Sequence, residues 1–166
     1  MLYKVQRGLV TVTARSAPHD TTTRYPKLDG TIEFDADNPR AARAEIAIDM
    51  RVFDTGDKLK NWKLKSAHNP DEHPTAIFTM ARFEDIHEMT AGQWNAVASG
   101  QLKWRGRAPM VKVSGKASVD RRGIDAQASF SIDMRELGVQ PPEFFLLKVE
   151  EVVLVQVALA AFATGK

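Results

Sequence analysis

Between residues 94 and 134 the chain alternates with period two three times over, and each inner set has small residues in its middle. In the first segment Trp94, Ala96, Ala98, Gly100, Leu102 and Trp104 alternate with Asn95, Val97, Ser99, Gln101 and Lys103. In the second, Val111, Val113, Gly115, Ala117 and Val119 alternate with Met110, Lys112, Ser114, Lys116 and Ser118. In the third, Ile124, Ala126, Ala128, Phe130, Ile132 and Met134 alternate with Asp125, Gln127, Ser129, Ser131, Asp133 and Arg135. Successive side chains of a strand point to opposite faces, so one set turns inward and the other meets water. Ala and Gly at mid-height on three neighbouring inner faces leave room that a curled sheet would enclose. That room is either hollow and suited to an apolar guest, or filled by Phe or Trp from the opposite wall, as also happens in small barrels.

Strand signals run through the rest of the chain. The pattern predicts strands near 2–6, 8–15, 28–35, 43–51, 76–84, 94–104, 110–119, 124–134 and 147–162. Asp37-Asn38-Pro39 reads as a turn and Asp120-Arg121-Arg122-Gly123 as a hairpin loop. The segment Asp57 to Ala67 departs from period two: Leu59, Trp62 and Leu64 stand among Lys58, Lys60, Lys63 and Lys65. That spacing predicts a short amphipathic helix capped by Thr55 or Asp57, with its apolar stripe docked on the barrel. The expected architecture is all-β: one domain over residues 1–166, an antiparallel barrel of about eight strands with one helix across an end.

Composition narrows the functional classes. Basic and acidic residues number 23 and 21, a net charge of +2 interspersed along the outward faces, which argues against a nucleic-acid partner. Cysteine is absent, which removes disulfides, thiol catalysis and thiolate metal sites. No stretch has the apolar length of a membrane span, and Val152 to Ala163 reads as a long buried strand. Met1 to Arg7 has no apolar signal core, so the expectation is either a cytoplasmic protein or one whose signal peptide has been removed, two alternatives that the sequence does not separate.

Candidate chemical constellations are sparse. His68, Asp71 and His73 lie close in sequence, but in a proline-bracketed turn, and the expectation is exposed loop histidines rather than a metal site. No Gly-x-Ser-x-Gly elbow occurs, and Thr21-Thr22-Thr23 reads as a loop. Pro141-Pro142-Glu143-Phe144-Phe145-Leu146-Leu147 either begins the last strand or lines the rim of a cavity.

Five stretches stand out in order along the chain. The first three are Leu28-Asp29-Gly30-Thr31-Ile32-Glu33-Phe34-Asp35 with Asn38-Pro39, Ile46-Ala47-Ile48-Asp49 leading to Asp54-Thr55-Gly56, and His73-Pro74-Thr75-Ala76-Ile77-Phe78. Gly100-Gln101-Leu102-Lys103-Trp104-Arg105-Gly106 with Pro109, and Asp133-Met134-Arg135-Glu136-Leu137-Gly138-Val139, complete the set. In this order they resemble the YceI-like family of lipid- and polyisoprenoid-binding proteins. Asn61-Trp62-Lys63-Leu64 stands where the family usually has acidic-x-His-Leu, which raises the question whether Trp62 occludes part of the pocket. The resemblance implies a lipocalin-like barrel, a periplasmic location, and a long isoprenoid chain held inside.

The resulting expectation is a non-catalytic carrier of a long-chain apolar amphiphile, with no cofactor and no metal. The lining residues expected are Ile32, Phe34, Ile46, Ile48, Phe78, Met80, Ala98, Leu102, Trp104, Val113, Ala128, Phe130 and Ile132, with Phe144 and Phe145 near the mouth. Lys58, Arg105 and Arg135 are the candidates for headgroup contact. A protein-interaction barrel with a filled core, and a small hydrolase or isomerase with a metal at the loop histidines, are the alternatives. A homodimer stays open, and stable membrane insertion is not expected.

Overall fold

The computed structural model describes residues 1–16, 20–139 and 149–164, and the side chains of Ser16 and Val149 are not described. Nine strands follow one another: β1 Leu2–Ser16, β2 Thr21–Tyr25, β3 Leu28–Glu33, β4 Arg43–Asp49, β5 Thr75–Thr90, β6 Gln93–Lys103, β7 Met110–Val119, β8 Gly123–Asp133 and β9 Val149–Ala163. One α-helix, α1 (Lys58–His68), lies between β4 and β5. Each strand pairs antiparallel with its neighbour from β3 round to β9, and β9 pairs back onto β1 from Tyr3↔Ala163 to Ser16↔Val149. The other edge of β1 is shared, with Val10 to Ala14 paired to β2 and Leu2 to Lys4 paired to β3. β2 and β3 therefore act as one strand broken at Pro26-Lys27, and the ring is a closed antiparallel barrel of eight strands.

Two glycines in the barrel wall have a steric reason. Gly30 has φ +149°, and a Cβ there would meet the Glu45 carbonyl oxygen at 2.2 Å. At Gly100 a Cβ would sit 2.6 Å from the Phe78 ring, so that ring occupies the space the missing side chain leaves. The turn from β7 to β8 is held by Asp120, whose Oδ1 accepts from the Arg122 and Gly123 amides at 2.7 and 3.0 Å.

Several sequence expectations are corrected. Residues 2–6 and 8–15 form one strand, β1, with a register shift between Val5 and Arg7, not two strands. Thr21-Thr22-Thr23 is strand β2 rather than loop; Thr21 and Thr23 are buried. β5 continues to Thr90, past the expected end at residue 84, through register shifts at Met80/Arg82, Phe83/Asp85 and Glu88/Thr90. β9 is not buried throughout: Val153, Val155, Ala160 and Ala161 are buried, while Val152, Leu154 and Phe162 are exposed. The segment with Phe144 and Phe145 lies outside the described residues. Among the described residues no helix is long and apolar enough to cross a membrane.

Candidate functional site: two chambers inside the barrel

The barrel interior is hollow in two places. The chamber nearer α1 has a volume of about 180 Å³, and the far chamber about 200 Å³. Ile46, Val113, Ala128 and Leu159 line both and form a waist between them. Beyond the far chamber the base is sealed: the Phe34 and Trp94 rings meet edge to face at 5.2 Å, packed with the buried Tyr3, Val5, Ile124 and Ala161. The Tyr3 hydroxyl donates to the Asp120 carbonyl oxygen at 3.0 Å, so this aromatic floor leaves no unpaired phenol.

The α1 end is closed by other means. Asp57 caps the helix, its Oδ1 accepting from the Lys60 amide at 3.0 Å, and Asn69 ends it in the left-handed conformation at φ 52°. Of its side chains Leu64 and His68 are buried, one turn apart on one face. The His68 ring packs edge to face on Trp104 at 5.3 Å, and the Trp104 indole N–H donates to the His73 carbonyl oxygen at 2.9 Å. The Arg105 guanidinium donates to the His68 carbonyl oxygen and lies over the Trp104 ring, 5.7 Å from its centroid. Burial first, and the nearby Arg105 charge second, push the His68 pKa down to about 4, so the ring is neutral at physiological pH.

Most of the residues singled out from the sequence lie on these walls. Ile48, Phe78, Leu102, Trp104, Phe130 and Ile132 line the α1-end chamber. Ile32, Phe34 and Ala98 line the far one, and Ile46, Val113 and Ala128 line both. Met80 lines neither, because the β5 register shifts immediately after it. The shifts bring Phe83 and Ile86 to the far chamber instead, and their spacing of three residues conceals them from a period-two reading. Val153, Val155, Val157 and Leu159 of β9 and Val10, Val12 and Tyr25 of β1 and β2 complete the α1-end wall.

Other expectations fail. Trp62 is 65% exposed and Leu59 is 39% exposed, so the stripe expected to dock is largely in water and Trp62 occludes neither chamber. Lys58 is exposed, and Arg135 is engaged with Asp133 at 2.6 Å on the surface. Arg105 does not line a chamber; it braces the last turn of α1. His68 is not an exposed loop residue but 8% exposed at the helix end, whereas the Asp71 carboxylate points to solvent beside Lys65. Among the described residues no three His, Asp or Glu side chains converge as a metal site requires.

The family model for the YceI-like domain matches residues 3–161. The chain belongs to the YceI-like family. This YceI-like barrel is similar to BcnA of Burkholderia cenocepacia at 21% identity and a TM-score of 0.74, over 95% of this chain and 96% of that one. It is equally similar in fold, TM-score 0.74 at 14% identity, to a polyisoprenoid binding domain from Saccharophagus degradans implicated in plant cell wall breakdown, with 98% of each chain covered. The Campylobacter jejuni YceI protein aligns at 12% identity and a TM-score of 0.64, over 86% of this chain and 85% of that one. At these identities the likeness to solved structures is one of fold. No curated protein matches the chain by sequence.

Proposed function

We propose that this YceI-like barrel is a non-catalytic carrier of a long-chain lipid, a polyisoprenoid or similarly slender amphiphile whose tail threads both chambers. The observation that carries this reading is the pair of apolar chambers joined at a waist of small and branched residues. The apolar walls of the two chambers, about 180 and 200 Å³ in volume, lack facing atoms to pack against while they are empty. A guest that fills them recovers those contacts. Each chamber alone is smaller than the roughly 300 Å³ of a usual ligand site, whereas joined they pass it, which favours one slender guest over a compact one. At about 0.8 kcal/mol per buried CH₂, a tail of about fifteen carbons gains roughly 12 kcal/mol, comparable with the cost of association. The Saccharophagus relative's description as a polyisoprenoid binding domain supports the same reading.

Catalysis finds little to work with inside: among the described residues no carboxylate, serine or cysteine side chain lines either chamber. Mass spectrometry of organic extracts from natively purified protein tests the proposal. The expected result is a stoichiometric prenyl or fatty chain in the wild type and its loss in Ala128→Phe, which blocks the waist. A lipid-free wild type that also takes up no prenyl-tailed probe would refute the carrier reading.

A further inference from the structure

Among the described residues, the wall of the α1-end chamber is hydrocarbon apart from Trp104 and two other side chains. They are His68, 8% exposed, and Tyr25, 3% exposed. Trp104 is also there, but its indole N–H is already committed to the His73 carbonyl oxygen. Among the described residues neither ring nitrogen of His68 and not the Tyr25 hydroxyl has a hydrogen-bond partner, although Tyr25 packs on Phe53 and His68 on Trp104. Buried polar groups are nearly always paired, because a donor or acceptor withdrawn from water and left alone is costly. Two of them on one otherwise greasy wall ask for a partner that the protein does not supply.

We propose that His68 and Tyr25 are the headgroup site of this chamber and that they select a lipid with an uncharged hydroxyl head, an isoprenoid alcohol. This rests on the carrier reading given above. A neutral imidazole offers one N–H donor and one bare nitrogen acceptor, whichever tautomer is present, and a phenol both donates and accepts. A hydroxyl, which both donates and accepts, can pair with either group. A hydrocarbon leaves both unpaired. A phosphate or diphosphate would bring negative charge into a wall that holds no lysine or arginine among the described residues. The Arg105 guanidinium lies outside the lining: it donates to the His68 carbonyl oxygen and lies over the Trp104 face, while its Nε is buried without a partner among the described residues.

The geometry also orients the guest. The polar pair lies only in the α1-end chamber, and the waist leads away from it to a far chamber whose inward-facing side chains are apolar. The oxygen therefore stays under α1 while the tail runs through the waist toward the Phe34–Trp94 floor. Arg105 and the Asn69 cap hold the last turn of α1, so the imidazole is placed before the ligand arrives.

Calorimetric titration of the purified, delipidated protein with farnesol, farnesyl diphosphate and 2,6,10-trimethyldodecane tests the assignment. The tail lengths match and only the head differs. Wild type is expected to bind farnesol about tenfold more tightly than either of the others. His68→Phe, which keeps a flat ring against Trp104, and Tyr25→Phe, which removes one oxygen, should each lower farnesol affinity by roughly three- to tenfold and leave the hydrocarbon unchanged. Equal affinity for farnesol and the hydrocarbon, preference for the diphosphate, or an intact farnesol preference in both variants would overturn the headgroup site and leave the carrier reading standing. Failure of all three compounds to bind would refute both.

Discussion

The two chambers are made empty by different means. Around the far chamber the wall is thinned: Ala96, Ala98, Gly115, Ala117 and Ala126 face inward where larger residues would meet in the middle. The α1-end chamber is walled instead by bulky residues, Val10, Val12, Ile48, Phe78, Leu102, Phe130, Val153 and Val155 among them. There the void comes from the girth of an eight-stranded ring and from a lid that covers the end without filling it. The ends differ as well. The far end is a packed aromatic floor with its phenol satisfied, while the α1 end presents an unsatisfied imidazole and phenol. Hollowness by truncation leaves a mark in the sequence, and hollowness by curvature leaves none.

The comparison can be strained from several directions. The largest effect is expected at the floor: Trp94→Ala removes a buried ring from the Phe34 contact and should cost about 3–5 kcal/mol in equilibrium urea unfolding. A loss below about 1 kcal/mol would show that the far end collapses freely and is not a rigid floor.

The α1 end should respond to acid. The His68 ring has its folded-state pKa lowered from 6.5 to about 4, so below pH 6.5 the unfolded chain binds the proton more readily than the folded one. The stability that the neutral buried ring contributes is complete above pH 6.5 and is lost as pH falls toward 4, by about 3 kcal/mol in all. The difference between wild type and His68→Phe in melting experiments across that window isolates it from the other histidines. A constant difference would mean that the ring is not dry.

A smaller effect should separate the chambers by tail length. Ala98→Phe fills only the far one, at a stability cost of about 1–3 kcal/mol. It should depress uptake of a twenty-carbon prenyl alcohol and spare a ten-carbon one. Equal losses for the two tails would mean that the far chamber takes no part in binding.

How much of this could be read in advance depended on the regularity of each strand. β7 and β8 pair without a register shift, so their alternation reports the wall directly, and Val113, Ala128, Phe130 and Ile132 fall where the pattern places them. β5 has three shifts, and each moves the inward position by one residue, which carried the reading to Met80 and away from Phe83 and Ile86. β9 is apolar on both faces, with Val152 and Leu154 outward and Val153 and Val155 inward, so no period marked its inner side. The helix misled for a related reason. Three- and four-residue spacing singled out Leu59, Trp62 and Leu64, yet of these only Leu64 is buried, and it shares that face with His68. A polar residue four positions after a leucine was the available signal for His68, and a search confined to apolar residues passes over it. The unpartnered Tyr25 was hidden with β2, whose threonines read as loop.

The longest seam of the barrel joins the first strand to the last, from Tyr3↔Ala163 to Ser16↔Val149. β1 can meet β9 only after every strand between them has been made, so the edge of β1 that β9 covers is the last to find its partner. Such topology makes maturation slow and all-or-none, because loops spanning almost the whole chain must close before the seam can form. A nascent barrel of this kind is most vulnerable to intermolecular pairing in its last moments of assembly, and a cargo that seats before the seam closes would hurry it shut.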